Sequence, residues 1–357
     1  MIITCLISAS SWKLSCFLIL LFTFPNNLLS SNCKLSFFGE RTSYMSRSHL
    51  ICVRKPLVSP VAIGCICAAT AYTIWGFSYL FTKTALKTAT PAVALAGRFL
   101  IAFALIHAIR FLGKIPVRLH WRDVKKLLVL GICNPVLYFY LESYGLLYTT
   151  TTFSGVMCAM SPLLSMFLAI FFLRELPTKK QGFFSLIPIA GVVLITLSEK
   201  SEGLLSGLGI LCLFLSCLMG SGAGIVSRKL APAYSTFERT YFMMLTGCVT
   251  FTTVAILQNL RSPHLLIQPF SSPSFLISIF CLGAFCSVGA FFCFNFSTRC
   301  LPAATTAIFS NLTTLVSIFA GVVFLSEPIS ISYIVGSVMI IGGIWLVTQQ
   351  GNQKAGS

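Results

Sequence analysis

Charge is what this sequence has least of. Of 357 residues only 9% are Asp, Glu, Lys or Arg, and only eight are acidic. A soluble domain carries roughly 25% charged residues, and so few charges cannot cover a water-exposed surface. That excludes a cytosolic fold and a secreted enzyme. The 25 Lys and Arg leave a formal net charge of +17. In a soluble chain this excess would point to nucleic acid. In a chain this apolar its plainer source is Lys and Arg retained in cytoplasmic loops, so no nucleic-acid partner is expected. Catalytic signatures are missing too: there is no Walker sequence, HExxH or GxSxG. The four His (His49, His107, His120, His264) are scattered, and the 15 Cys form no paired CxxC sets. Neither enzyme activity, a metal nor a cofactor is expected. Several cysteines (Cys65, Cys67, Cys212, Cys217, Cys281, Cys286, Cys293) sit inside apolar runs, where a thiol acts as a small, soft packing group.

What is present is hydrocarbon. Hydrophobic residues make up 56% of the chain and the mean hydropathy is +0.91. A helix needs about 20 apolar residues to cross a bilayer core roughly 30 Å thick. Ten segments qualify: 58–82, 91–111, 126–148, 151–173, 180–198, 207–227, 237–258, 273–297, 301–325 and 330–348. The runs are continuous rather than alternating, which argues against a membrane β-barrel. The expected fold is an all-α integral membrane protein. Residues 1–56 stand apart: Leu14 to Phe24 is apolar for too short a stretch to span, and Asn26 to Pro56 is polar and Ser-rich. This N-terminal extension reads either as a targeting segment or as the product of a start placed ahead of Met45.

Lys and Arg fall unevenly on the connections. With both termini in the cytoplasm, that side holds Arg47, Arg54 and Lys55, the cluster from Arg110 to Lys126, Arg174, Lys179, Lys180, Arg228, Lys229, Arg239, Arg299 and Lys354. The far side holds only Lys83, Lys87, Lys200 and Arg261, the asymmetry that the positive-inside rule requires. The chain also repeats itself. Residues 130–196 align without a gap on 282–348, an offset of 152, with 15 of 67 pairs identical, among them Gly131/Gly283, Phe139/Phe291, Ser165/Ser317, Glu175/Glu327 and Gly191/Gly343. Each half holds five expected spans, an odd number, so the second half should enter the membrane inverted. Inverted repeats suggest a secondary transporter with its site at the midplane between them.

These residues resemble the EamA-type branch of the drug/metabolite transporter superfamily. In the first half the likeness rests on Trp75-Gly76, Pro91, Arg98-Phe99, the stretch from Tyr144-Gly145-Leu146 to Ser161-Pro162, Leu173-Arg174-Glu175-Leu176 and Gly191-Val192. In the second half it rests on Ala303 to Ala307, Leu325-Ser326-Glu327-Pro328-Ile329, Gly336 and Gly342-Gly343. The likeness implies two five-helix repeats, 57–199 and 200–350, followed by a cytoplasmic tail, 351–357. It also implies a permease for small metabolites in a plasma-type or inner cell membrane, many such proteins being exporters. One departure is that Pro162 has Thr314 as its repeat mate, so the halves should flex differently at that level.

Two ionisable residues fall deep inside spans, Arg98 and Glu142. A charge at a helix centre costs roughly 2.5–3.5 kcal/mol on insertion scales, so such residues face a cavity or a partner. Arg98 and Glu142 are expected to face each other across a central cavity; the competing readings are a structural ion pair or an Arg98 that snorkels outward. Trp75, Tyr138, Asn295 and Asn311 complete the expected substrate-binding set. For the two Asn the rival role is interhelical hydrogen bonding, and for the two aromatics it is bundle packing. Glu175 and Glu327 precede Thr178 and Ser330 by three residues and are expected to serve the N-terminus of the following helix. Gly220 and Gly224 suggest close helix approach, and Pro135, Pro162 and Pro188 are expected to interrupt spans three, four and five. The reading is a secondary permease working by alternating access on a small metabolite, an amino acid or a related zwitterionic or cationic compound. Its other partners are the lipid bilayer and a coupling proton or exchanged solute. The alternative is a flippase for a lipid-linked substrate on the same fold.

Overall fold

Inside a bilayer every backbone N–H and C=O has to be satisfied within the protein, and helices do this locally. The computed structural model describes residues 60–117, 124–173, 183–184, 186–201, 206–301, 306, 309–327 and 330–355, and these hold helices and no strand. In chain order they are α1 (Pro60–Ala85), α2 (Pro91–Leu112), α3 (Val124–Leu147), α4 (Thr151–Cys158), α5 (Ser161–Leu173) and α6 (Leu186–Ser201). The second half contributes α7 (Gly207–Leu230), α8 (Thr236–Gln258), α9 (Pro273–Cys300), α10 (Ser310–Leu325) and α11 (Ile331–Ala355). Their starts are written in the sequence. Thr90, Thr150, Ser206 and Ser235 each accept a hydrogen bond from a first-turn N–H, and Ser235 with Glu238 forms a full capping box.

Seven segments are long and apolar enough to cross a membrane: α1, α2, α3, Thr151–Leu168, α7, α8 and α9. Three more apolar helices are shorter among the described residues: Leu186–Ile195, Ser310–Leu325 and Ile331–Gly343. Seven of the ten expected spans thus coincide with helices of full crossing length, and the described parts of the other three are mostly helical. Large apolar side chains face outward around the bundle, including Phe111, Leu112, Phe171, Leu197, Ile331 and Val338. Apolar exposure on this scale belongs in lipid, and the protein is a multi-pass membrane protein. The expectations for residues 1–56, for Glu175 and Thr178, and for residues 303–305 fall outside the described residues.

Two helices carry a break at matching places. In α3 the stretch Ile132–Leu137 is π-helical and Asn134 leaves helical geometry (φ −149°, ψ 114°) next to Pro135, which has no N–H to give. In α9 the π-helical stretch is Leu282–Gly289, and the 152-residue offset maps 132–137 onto 284–289. A third break separates α4 from α5 at Ala159-Met160. Pro162 cannot bond the Cys158 carbonyl, and Ser161 Oγ donates to it instead at 2.6 Å. The mate of Pro162, Thr314, lies inside an uninterrupted α10 and donates to the Gly155 carbonyl at 2.7 Å, so the two halves do differ at this level. Pro188 lies in helix, two residues after the first described residue of α6, with residues 183–184 also helical.

Helix packing pairs the halves. The main contacts are α2 with α8, α6 with α11, α4 with α10, α1 with α9 and α10, and α7 with α3 and α5. Small residues let these helices close: a Cβ on Gly76 would lie 2.5 Å from Val316 Cβ, and one on Gly191 would lie 2.7 Å from the Gly336 carbonyl.

Candidate functional site

A cavity of about 60 Å³ lies in the middle of the bundle, room for a few molecules the size of water. Its wall is built from stripes at helical spacing. Helix α1 gives Tyr72, Trp75, Ser78 and Tyr79; α3 gives Asn134, Tyr138, Phe139 and Glu142. Ser161 and Ser165 come from α5, Gly220, Ser221 and Gly224 from α7, and Phe291, Phe294 and Thr298 from α9. Three pairs of wall residues are repeat mates at the 152-residue offset: Phe139/Phe291, Glu142/Phe294 and Ser161/Thr313. Both halves therefore build the wall from corresponding positions.

Glu142 is 2% exposed, and its Oε2 has no hydrogen-bond partner. Tyr138, one turn before it on α3, and Tyr79 of α1 share the wall with it. Trp75 is fixed by its indole N–H, which donates to the Cys286 carbonyl at 3.0 Å within the π-helical stretch of α9. The aromatic wall is continuous. Trp75 meets Tyr72, Phe291 and Phe294 at ring-centroid distances of 5.3, 5.2 and 5.3 Å, and Phe139 meets Phe291 at 5.9 Å.

Of the six expected binding residues, Trp75, Tyr138 and Glu142 line the cavity and three do not. Arg98 is 1% exposed and lies behind the wall, its guanidinium 3.9 Å from the centroid of Phe139 and its Nε donating to Ser287 Oγ at 2.8 Å. Its charge acts on Glu142 through the interior, yet neither Nη has a hydrogen-bond partner. The two residues do not face each other across the cavity: Glu142 is on its wall and Arg98 is not. Asn295 is fully buried away from it: Nδ2 donates to Thr240 Oγ1 at 3.0 Å and Oδ1 accepts from Ser227 Oγ at 2.7 Å. It ties α7, α8 and α9 together, the interhelical role. Asn311, half-buried in the first turn of α10, is not on the wall, and its Oδ1 has no hydrogen-bond partner.

Arg239 had been counted with the loop charges. It is buried in the first turn of α8, with Nη1 donating to the Ser227 carbonyl at 2.9 Å and to Thr298 Oγ1 at 3.1 Å, and Nη2 to the Asn295 carbonyl at 2.7 Å. Gly220 and Gly224 line the cavity, and Gly220 also lets α3 approach closely: a Cβ on it would stand 3.0 Å from the Tyr138 ring, whereas one on Gly224 would stand 3.9 Å from Phe294. Glu327 has a capping role at an unexpected helix. Its Oε1 and Oε2 accept from the Thr151 and Thr152 N–H groups at 2.8 Å each, and Thr152 Oγ1 also donates to it. The carboxylate thus caps α4 of the other half, not the helix that follows it. Lys83 closes the same end of the bundle, donating to the Leu146 and Thr149 carbonyls.

A buried carboxylate with a free oxygen, set on an aromatic wall inside a bundle of membrane helices, belongs to the class of proteins that take a solute into the membrane. The chain belongs to the EamA-like transporter family, which matches it twice, over residues 62–197 and 207–349. It is 31% identical over 281 residues to the uncharacterized transporter YcxC of Bacillus subtilis (strain 168), covering 78% of this chain and 90% of that one. It is 25% identical to an uncharacterized transporter of Archaeoglobus fulgidus, covering 80% and 98%. A WAT1-related protein of Arabidopsis thaliana is 24% identical, covering 82% and 84%. One solved crystal structure superposes with a TM-score of 0.59 at 19% identity, covering 80% of this chain and 98% of that one, a likeness of fold alone. The protein is a membrane transporter.

Sequence reasoning missed Tyr72, Tyr79, Phe139, Phe291 and Phe294. The signal was available. Tyr72, Trp75 and Tyr79 recur at i, i+3 and i+7, and Phe291, Phe294 and Thr298 do the same, each a polar-aromatic stripe on an otherwise apolar helix.

Proposed function

We propose that this protein is a secondary permease of ten membrane helices in two inverted five-helix repeats, moving a small amine-bearing metabolite by alternating access around Glu142. The observation that carries this reading is the free Oε2 of Glu142 on a wall to which both halves contribute repeat-equivalent residues. An inverted architecture is supported by the odd number of expected spans per half and by the charge difference between the loops at Glu175 and Glu327. The helix contacts support it too. Under the 152-residue shift α1 with α9 exchanges with α7 with α3, α1 with α10 exchanges with α7 with α5, and the α2–α8 and α6–α11 contacts map onto themselves. That is the pattern of two halves related by a two-fold axis.

Both termini lie in the cytoplasm on this reading, and the membrane is the cell membrane. The cavity runs from Glu142 towards Thr298 and Thr306 at the end of the bundle that bears Arg228 and Arg299, the expected cytoplasmic side. The opposite end is tied by Glu327 and Lys83. Loading from the cytoplasm and release outside follow, with a proton or a counter-solute exchanged at the same carboxylate.

The test is flux. In proteoliposomes holding the purified chain, gradient-driven uptake or exchange of a radiolabelled amino acid or amine is expected for the wild type. Glu142→Gln should abolish it while eluting as the same monodisperse species. Thiol labelling of cysteines placed at Lys179 and Ser330 should reach opposite compartments; labelling of both from one compartment refutes the inverted repeat.

A further inference from the structure

The cavity wall carries one anion and no cation. Among the described residues that line it there is no Lys, Arg or His, and Glu142 is the single carboxylate. A zwitterion such as an amino acid would bring its own carboxylate into this space and would need a positive partner for it. Two described cations touch the back of the wall and both are engaged there: Arg98 gives Nε to Ser287 and lies on the face of Phe139 at 3.9 Å, and Arg239 donates to Ser227, Asn295 and Thr298. Neither guanidinium is on the wall. Trp75, Tyr72, Phe291 and Phe294 carry no such cation on their faces, and each stands on the wall with its neighbour at 5.2–6.2 Å. Aromatic faces attract cations through the ring quadrupole, most strongly for Trp and where water is excluded. A bare carboxylate inside an aromatic enclosure is therefore selective for positive charge on an apolar body.

Resting on the reading above and narrowing it, we propose that the cavity is a site for an organic monocation, an alkyl- or arylammonium without a carboxylate, bound between Glu142 and the Trp75–Phe294 wall once the helices part, since the 60 Å³ present here holds only a few waters. The ammonium is the group that Glu142 Oε2 lacks as a donor. An anion finds only repulsion from Glu142. A zwitterion pairs its amine but leaves its carboxylate among rings and hydroxyls.

The experiment compares three ligands that share a phenyl ring and a two-carbon spacer: phenethylamine, phenylalanine and 3-phenylpropanoate. Calorimetric titration of the full chain in nanodiscs should give a dissociation constant for phenethylamine at least tenfold below that for phenylalanine, with no heat from 3-phenylpropanoate. Glu142→Gln should lose phenethylamine binding, Glu142→Asp should keep it, and Trp75→Leu and Phe294→Leu should each weaken it several-fold. The aspartate variant shows that loss in the glutamine variant is not a folding defect. Equal or tighter binding of phenylalanine overturns the proposal and brings Arg98 into the site as the carboxylate partner. Tighter binding of the propanoate overturns it outright. If none of the three binds while the liposomes still move an amino acid in a Glu142-dependent way, the monocation assignment fails and the transporter reading stands. Phenethylamine binding without flux of any solute leaves the monocation site in place and refutes the transporter mechanism instead.

Discussion

Removing the Glu327 carboxylate should cost more than any other single exposed-end substitution in this bundle. The first turn of α4 has three N–H groups with no intrahelical acceptor. Thr150 Oγ1 takes that of Phe153 at 3.0 Å, and Glu327 takes those of Thr151 and Thr152 at 2.8 Å. In Glu327→Ala the latter two donors and the Thr152 hydroxyl lose their acceptor. Hydrogen bonds to a charged group contribute about 1.5–3 kcal/mol each, and a negative charge at a helix N-terminus adds roughly 0.3–1 kcal/mol. Glu327 is only half-buried, so the lower ends apply and the net loss is about 2–4 kcal/mol. Glu327→Gln should lose more than half of this, because its one carbonyl oxygen serves one N–H and its amide nitrogen confronts the other.

The capped helix and the capping residue belong to different halves, so the loss should register in two ways. Thermal unfolding in detergent should fall by roughly 5–10 °C, on the scale of a few degrees per kcal/mol. In a cysteine-depleted background, Ser78→Cys on the cavity wall should react faster with a membrane-impermeant thiol reagent from the outer side, because the tie that closes that end is gone. A Glu327→Ala variant with unchanged melting and unchanged labelling would show that the carboxylate makes no net contribution there, and the capping argument would be wrong.

Further outcomes follow from the same contacts. Gly220→Val should block flux in proteoliposomes and lower the melting temperature, because its methyls crowd the Tyr138 ring that a Cβ alone would meet at 3.0 Å; Gly224→Ala, with 3.9 Å to Phe294, should transport normally. Gly155→Ala should destabilise the fold by about 1–3 kcal/mol or more, since its Cβ would fall 1.5 Å from Ser317 Oγ. Ser317→Gly in the same chain should recover much of that loss in a double-mutant cycle. Asn295→Leu should lower the melting temperature sharply, because Ser227 and Thr240 lose a buried partner; retained melting would deny the knot its role.

The helices were legible because membrane insertion leaves few alternatives: a run of about 20 apolar residues can satisfy its backbone only as helix. Glu142 was legible for the same reason, through its cost. Arg98 was misread because depth and charge were taken as sufficient, whereas the direction of the side chain is decided by Phe139, one turn of α3 before Glu142. Asn295 was misread because an amide can satisfy itself equally against a cavity or a neighbouring helix, and only the positions of Ser227 and Thr240 decide. Arg239 follows the charge rule for loops until the bundle is assembled and α7 and α9 close over it. The target of Glu327 was invisible because local spacing favours the next helix, while the acceptor-poor turn it serves lies 176 residues earlier.

The repeat explains why one carboxylate suffices. Duplicated halves give a symmetric scaffold, and three pairs of mates on the wall still mark it. At the position that matters most the mates have diverged, Glu142 against Phe294: one half contributes the charge, the other an aromatic face set against it. Two facing carboxylates would repel each other in a low-dielectric interior and hold a proton between them. Two phenyl rings would bind apolar solutes with no preference for charge. Glu142→Phe, which restores symmetry in one direction, should leave a folded protein without cation binding. Phe294→Glu should leave one whose two acids bind a divalent diamine in preference to phenethylamine. If both variants kept the wild-type preference, the divergence at this pair would have no part in selecting the solute, and the Glu142 site would have to be abandoned.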